Sequence, residues 1–274
     1  MKKIVAMILA LLMGLSLVAC SSTPAGEEGG DKENVLVMGT SADYAPYEFM
    51  YPDDNGEMVY GGVDISIAKA IAEDMGKELK VENMSFEYML KLMVDGKCDI
   101  VLAAMEITPK RDEVADFSDP YFTDLPAMIV VKKTDAAQYT SMDSFSGKSV
   151  AAQTSTTKED IVKNDLTGAN LVSLSLATDM VNQLVNGKVD AIVLDGAVAQ
   201  QVVASNEELV IADVALGEAL PYRVAVAEGD PLGLLPQINE TIAKLLADGS
   251  IDKFFEEADA LSGVAEEVTG TITE

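Results

Sequence analysis

Ten residues in the middle of this chain occur twice in similar form. Leu92-Met93-Val94-Asp95-Gly96-Lys97-Cys98-Asp99-Ile100-Val101 is echoed by Gln183-Leu184-Val185-Asn186-Gly187-Lys188-Val189-Asp190-Ala191-Ile192. Each copy reads as the end of a helix, a Gly-Lys turn and a buried strand. Chance is the competing explanation for an echo of this length; the structural one is two lobes built on the same unit. Continuing the register past each strand pairs Ala104 with Asp195, at the carboxyl end of each strand. In open α/β sheets that end is where ligands bind. Two such lobes facing each other would bring both strand ends to one cleft.

The rest of the body alternates in the same way. Val35–Met38, Ile100–Ala104, Met128–Lys132, Ser149–Ala152, Ala191–Leu194 and Val224–Ala227 read as strands. Between them, 63–79 carries Ile67, Ile71 and Met75 at helical spacing, with Ala68 and Ala72 beside them. Segments 85–94, 180–186, 196–204, 236–248 and 251–260 also read as helices. Strands alternating with helices imply an α/β fold with largely parallel sheets.

The first residues carry an address. Lys2 and Lys3 precede an apolar run from Ile4 to Ala19, which ends at Leu17-Val18-Ala19-Cys20. A charged start, a short apolar core and a small-residue cleavage site make a secretory signal. The run is too short to span a bilayer comfortably. Cys20, directly after the small residue, resembles a bacterial lipobox, in which the cysteine is lipidated and becomes the new N-terminus. An ordinary signal ending near a cysteine is the alternative. Residues 21–33 have no large apolar side chain and read as a flexible tether.

With 46 acidic and 19 basic residues the chain has a net charge of −27. That argues against nucleic acid or an anionic membrane surface as a direct partner. Once Cys20 is used, Cys98 is the remaining cysteine, so no intramolecular disulfide is expected; its apolar setting reads as core packing. There is no histidine, which excludes His-based catalysis and His metal sites. No metal or cofactor is expected. Tyr and Phe must supply any aromatic stacking, because the chain has no tryptophan.

Candidate site residues cluster where strands end. Arg111 follows the first echoed strand in Thr108-Pro109-Lys110-Arg111, where Thr108 suits an N-cap and Pro109 the first helical turn. Its guanidinium matches a carboxylate, unless it pairs with Asp112, Glu113 or Asp116 on the surface. Thr156 and Thr157 follow the strand ending near Ala152, and Thr156 with Glu159 fits a capping box. Hydroxyls and amides at that helix start form an anion site or a simple cap. Asp195 is an N-cap, a seat for an ammonium, or both. Tyr44 and Tyr47 pack a lobe or cover a ligand. Arg111, Thr156, Thr157 and Asp195 together suit a zwitterion.

At this point the chain resembles the bacterial extracellular solute-binding proteins for polar amino acids. The stretches that carry the resemblance are 39–49 (GTSADYAPYEF), 61–64 (GGVD), 95–99 (DGKCD), 108–111 (TPKR), 116–121 (DFSDPY), 153–157 (QTSTT), 187–191 (GKVDA) and 247–249 (ADG). They run through nearly all of the body. The resemblance implies a two-lobed periplasmic-binding-protein-like fold of type II, each lobe a largely parallel sheet flanked by helices, joined by a two-strand hinge. The crossings are expected near 123–126 and 215–220. Lobe one is then 34–124 plus 218–260, lobe two 125–217, and 261–274 an acidic tail. By the family pattern Arg111 and Thr157 hold an α-carboxylate, Asp195 holds the α-ammonium and Tyr44 covers the side chain. The resemblance also implies a lipid-anchored monomer that passes a small-molecule ligand to an ABC permease.

Two departures from the family pattern matter. Val63 stands where a second aromatic is common, and Glu106, in Ala104-Met105-Glu106-Ile107-Thr108, stands where a small hydroxyl residue is usual. A carboxylate beside a carboxylate seat repels the ligand unless it is itself paired or protonated. Glu106 therefore either holds a second positive group of the ligand, which favours a basic amino acid or related amine, or neutralises Arg111. Val63, Ala104 and Met105 are also expected to line the ligand, and Gln153 offers a further polar contact. Three other functions remain open. One is a cyclohexadienyl-dehydratase-like enzyme using Glu106 as an acid. Another is a sensor, which would need a membrane span or signalling domain after Ala260. The third is a binding protein for a peptide, opine or polyamine.

Overall fold

The computed structural model describes residues 34–271, with side chains described through residue 262. The expected signal, Cys20 and the tether to residue 33 lie outside the described residues. Among the described residues no helix is long and apolar enough to cross a membrane.

The body opens on β1 (Val35–Thr40), followed by β2 (Asp43–Tyr44), β3 (Glu48–Pro52) and β4 (Met58–Gly61), which form a small antiparallel sheet. Helix α1 (Val63–Asp74) buries Ile67, Ala68, Ile71 and Ala72, the apolar stripe expected from their spacing. It is shorter than expected: Gly76 takes a left-handed φ of 65°, and the chain leaves as strand β5 (Glu78–Asn83). Helix α2 (Met89–Val94) is preceded by a 3₁₀ turn at Phe86–Tyr88, so the helix expected over 85–94 forms in its second half. Strands β6 (Ile100–Val101) and β7 (Ala115–Phe117) follow. The expected helix beginning at Thr108 is a turn instead, closed by the Arg111 and Asp112 N–H groups donating to the Thr108 carbonyl.

The chain passes through β8 (Phe122–Thr123) into β9 (Met128–Lys132), β10 (Ser149–Gln153), α3 (Thr157–Asn164), β11 (Asn170–Leu174), α4 (Ala177–Val185), β12 (Ala191–Leu194), α5 (Gly196–Ser205) and β13 (Leu209–Ile211). It returns through β14 (Pro221–Tyr222) to β15 (Ala225–Ala227), α6 (Leu235–Ala247) and α7 (Ser250–Thr271). Helix α7 thus continues past 260, into residues expected as a tail.

Two five-stranded sheets result, in the orders β5-β1-β6-β15-β7 and β11-β10-β12-β9-β13. Each has three parallel strands, β5-β1-β6 and β11-β10-β12, joined by the crossover connections parallel pairing requires. Beside each triplet lies an antiparallel strand, β15 or β9. This is the two-lobed type II arrangement. Strands β8 and β14, on the two segments that run between the sheets, pair with each other antiparallel.

The sequence echo is a structural repeat. In each copy a helix ends at a glycine with left-handed φ, 71° at Gly96 and 66° at Gly187. Gly96 N–H donates to Met93 and Gly187 N–H to Leu184, while Lys97 and Lys188 N–H reach Leu92 and Gln183. Each then enters a strand through an aspartate that ties it to its neighbour. Asp99 accepts from Val37 N–H and Asp190 from Ser149 N–H, both at 2.8 Å. The same local chemistry therefore docks β6 on β1 and β12 on β10. Val63 and Met105, both expected at the site, are packed in apolar clusters.

Candidate functional site

The strand ends face each other across the gap between the lobes. Around it stand Ser41, Tyr44, Glu48, Phe86, Ala104, Glu106, Gln153, Thr156, Lys158 and Asp195, enclosing a cavity of about 10 Å3. A cavity of that size has room for about one water molecule.

Asp195 sits at the N-cap of α5 but its side chain makes no capping bond. Asp124, on the first crossing segment, takes that duty, accepting from Ala197 N–H at 3.2 Å with both oxygens. The Asp195 carboxylate is therefore turned into the cleft. It accepts the Tyr44 hydroxyl at 2.8 Å and the Lys158 ammonium at 2.7 Å. Asp195 N–H in turn donates to the Tyr44 oxygen at 3.1 Å. Burial, then the Asp195 charge, push the Tyr44 hydroxyl well above its ordinary range, so it is a neutral donor.

Glu106 is positioned by backbone pairing with Tyr222 on β14, and Arg223 N–H donates to the Met105 carbonyl at 3.0 Å. Its side chain reaches the start of α3 in the opposite lobe. Thr157 Oγ1 donates to Glu106 Oε1 at 3.0 Å and the Lys158 ammonium donates to the same oxygen at 3.0 Å. At this helix start the chain's own Glu106 carboxylate takes the Thr157 hydroxyl and the Lys158 ammonium rather than the helix amides. Thr156 caps α3, accepting from Glu159 N–H at 3.3 Å. The Glu159 side chain returns to Ser155 N–H rather than to the cap residue, a capping box shifted by one.

Arg111 reaches the site from the turn after Thr108. It donates to the Glu106 carbonyl at 2.7 Å and, across the lobes, to the Ser155 carbonyl at 3.0 Å. Its guanidinium carbon lies 5.1 Å from the centre of the Phe86 ring, and its Nη1 is 3.7 Å from Glu106 Oε2. Burial lowers its pKa, with Glu106 and Asp195 opposing that. Gln153 ends β10 and donates to the Ser175 carbonyl at 3.1 Å.

Lys158 is the charged side chain at this cleft to which the sequence did not point. A lysine in an amphipathic helix ordinarily reaches solvent, yet this one is 4% exposed, against 6% for Glu106, 5% for Asp195 and 8% for Arg111. Burial works against its charge, but Asp195 and Glu106 outweigh that and raise its pKa. One signal was in the sequence: Lys158 lies in the first turn of a helix, where the backbone dipole disfavours a cation. A cation there needs carboxylate partners.

Beneath the cleft, Glu48 and Asp64 form a buried carboxyl pair. Asp64 accepts from Ala104 N–H at 2.8 Å and from the Tyr121 hydroxyl at 2.9 Å, fixing Ala104 at a left-handed φ of 45°. Burial raises Asp64 to about 6. Glu48 is pushed up well beyond the usual carboxylate range, by burial first and by Asp64 next. Burial thus favours the protonated form of both carboxyls.

Two lobes meeting over buried, opposed charged groups suggest a solute clamp, and comparison with known proteins decides its family. Residues 36–257 match the model of the bacterial extracellular solute-binding proteins, family 3. The chain belongs to that family. Among relatives of this solute-binding protein, the arginine-binding extracellular protein ArtP of Bacillus subtilis (strain 168) is 31% identical over 258 residues, 92% of this chain and 96% of that protein. Among solved structures, an amino acid ABC transporter substrate-binding protein, AbpA of Streptococcus pneumoniae Canada MDR_19A, bound to L-arginine, matches with a TM-score of 0.80 at 34% identity. That match covers 84% of this chain and 97% of the other. An ancestral arginine-binding protein bound to glutamine matches with a TM-score of 0.73 at 35% identity, covering 82% and 97%.

Proposed function

We propose that this protein is the substrate-binding component of an amino-acid ABC importer, capturing a polar amino acid between its lobes and delivering it to the permease. The observation that carries this reading is the opposed pair of seats in the cleft. Arg111 with the Thr157 hydroxyl offers donors for a carboxylate, and Asp195 with Tyr44 offers acceptors for an ammonium. The relatives' names support the amino-acid class, though they span arginine, histidine, cystine and glutamine binding. Ligand entry requires the lobes to part and reclose about β8 and β14, a hinged clamp. Cys20 carries a lipid that holds the protein at the outer face of the membrane, and residues 21–33 serve as its tether; the support for this is the lipobox-like sequence.

Thermal unfolding of the full chain against the twenty amino acids tests the reading. A ligand bound by the folded state alone raises the midpoint, the more so as its concentration exceeds Kd. A rise with one or a few amino acids is the expected result. No rise with any amino acid, and a rise with peptides, opines or polyamines, would replace the reading.

A further inference from the structure

The Glu106–Lys158 pair occupies both seats of the cleft. The Glu106 carboxylate takes the Thr157 hydroxyl at 3.0 Å and lies 3.7 Å from the Arg111 guanidinium. The Lys158 ammonium takes Asp195 at 2.7 Å. One pair within the chain, joined to itself at 3.0 Å, thus presents a carboxylate and an ammonium where a zwitterion would. We infer that this internal pair sets the specificity of the site, restricting it to amino acids with no net side-chain charge. The inference rests on the reading given under Proposed function.

The argument is one of charge. Arg111 and Lys158 supply two positive charges and Glu106 and Asp195 two negative ones, all buried. Glu48 also lines the wall, with its carboxyl pushed well above the ordinary range by burial first, and its partner Asp64 does not line the cavity. A net-neutral zwitterion replaces the pair charge for charge. Its carboxylate takes the Arg111 and Thr157 seat, its ammonium takes the Asp195 and Tyr44 seat, and Glu106 keeps Lys158. A basic amino acid adds a cation with no counter-ion, and an acidic one adds an unmatched anion. An uncompensated charge in a closed, buried site is strongly unfavourable. Lys158 thus supplies the positive group that Glu106 would otherwise require of the ligand, and the pair acts by repelling wrong ligands as well as fitting right ones.

Calorimetric titration of the full chain with glutamine, serine, arginine, lysine and glutamate provides the test. The wild-type protein is expected to bind a neutral amino acid at least about tenfold more tightly than arginine, lysine or glutamate. In Lys158→Met, Glu106 is left without its cation, and the ranking should turn toward arginine and lysine. The double variant Lys158→Met, Glu106→Gln restores neutrality and should return the preference to neutral ligands, whether or not the single variant folds well. Wild-type binding of arginine, lysine or glutamate as tightly as glutamine and serine would overturn the inference. So would a double variant that prefers basic ligands. These outcomes leave the proposed function standing, whereas binding of no amino acid by any of the proteins overturns both.

Discussion

At Asp195 two demands compete for one carboxylate. A residue preceding a helix ordinarily turns its oxygens onto the first free N–H groups. Here Asp124 meets that demand from the crossing segment, and Asp195 is left to face Tyr44 and Lys158. Asp195→Asn keeps the shape and removes the charge. Ligand affinity should fall by roughly 2–5 kcal/mol in a calorimetric titration; an unchanged Kd would remove Asp195 from the site. The Glu48–Asp64 pair makes a second prediction. Both groups have folded-state pKa values above their unfolded ones, so the folded protein holds protons that the unfolded chain releases. Each contribution is present below about pH 4, the unfolded carboxyl range; that of Asp64 is lost as the pH rises through about 6, and that of Glu48 as the pH rises through its own raised value. Glu48→Gln removes that proton demand. Its melting midpoint should gain on the wild type as the pH rises above about 4, and a pH-independent difference would contradict the raised Glu48 carboxyl.

Short elements carry the site, and each depends on a cap or a close approach. Asp124→Ala should cost about 1–2 kcal/mol in chemical unfolding, from the lost α5 cap and from the stranded Tyr222 hydroxyl, which donates to Asp124 at 3.2 Å. Gly62, before α1, has φ 116°, and a Cβ there would stand 2.1 Å from the Tyr47 carbonyl oxygen. Gly62→Ala should therefore destabilise by several times the ~1 kcal/mol of an ordinary glycine effect, and a fold as stable as the wild type would contradict the stated geometry. The elements legible in the sequence were those with a clear apolar stripe or run, such as α1, β1, β9 and β12. Strands β5 and β11 were not legible, because half of each faces solvent and charged or polar residues interrupt the pattern. The helix expected at Thr108 fails because Thr108, Pro109 and Arg111 suit a turn equally well, and the buried pull on Arg111 from Glu106 and Ser155 selects the turn.

Across the whole molecule, the repeated helix–Gly-Lys–strand unit made the two-lobed plan legible, because each copy carries its own glycine stop and strand-docking aspartate. The sequence singled out Tyr44, Glu106, Arg111, Thr157 and Asp195, and the structure brings them together between the lobes. Lys158 was not singled out, since its burial follows from lobe-to-lobe contact that no local pattern records. Closure is drawn together by further contacts between lobes. Asp43 Oδ2 accepts from the first free N–H of α4, that of Ala177, at 2.6 Å, so Asp43→Ala should quicken ligand dissociation about fivefold in stopped-flow, the equivalent of a lost cap. The most direct measurement of the central claim is a crystal structure of the protein grown with the amino acid that most raises its melting midpoint. The ligand's carboxylate should lie on Arg111 and Thr157, its ammonium on Asp195 and Tyr44, with Lys158 withdrawn to Glu106. An amino acid found elsewhere, or held with Lys158 still on Asp195, would contradict the account.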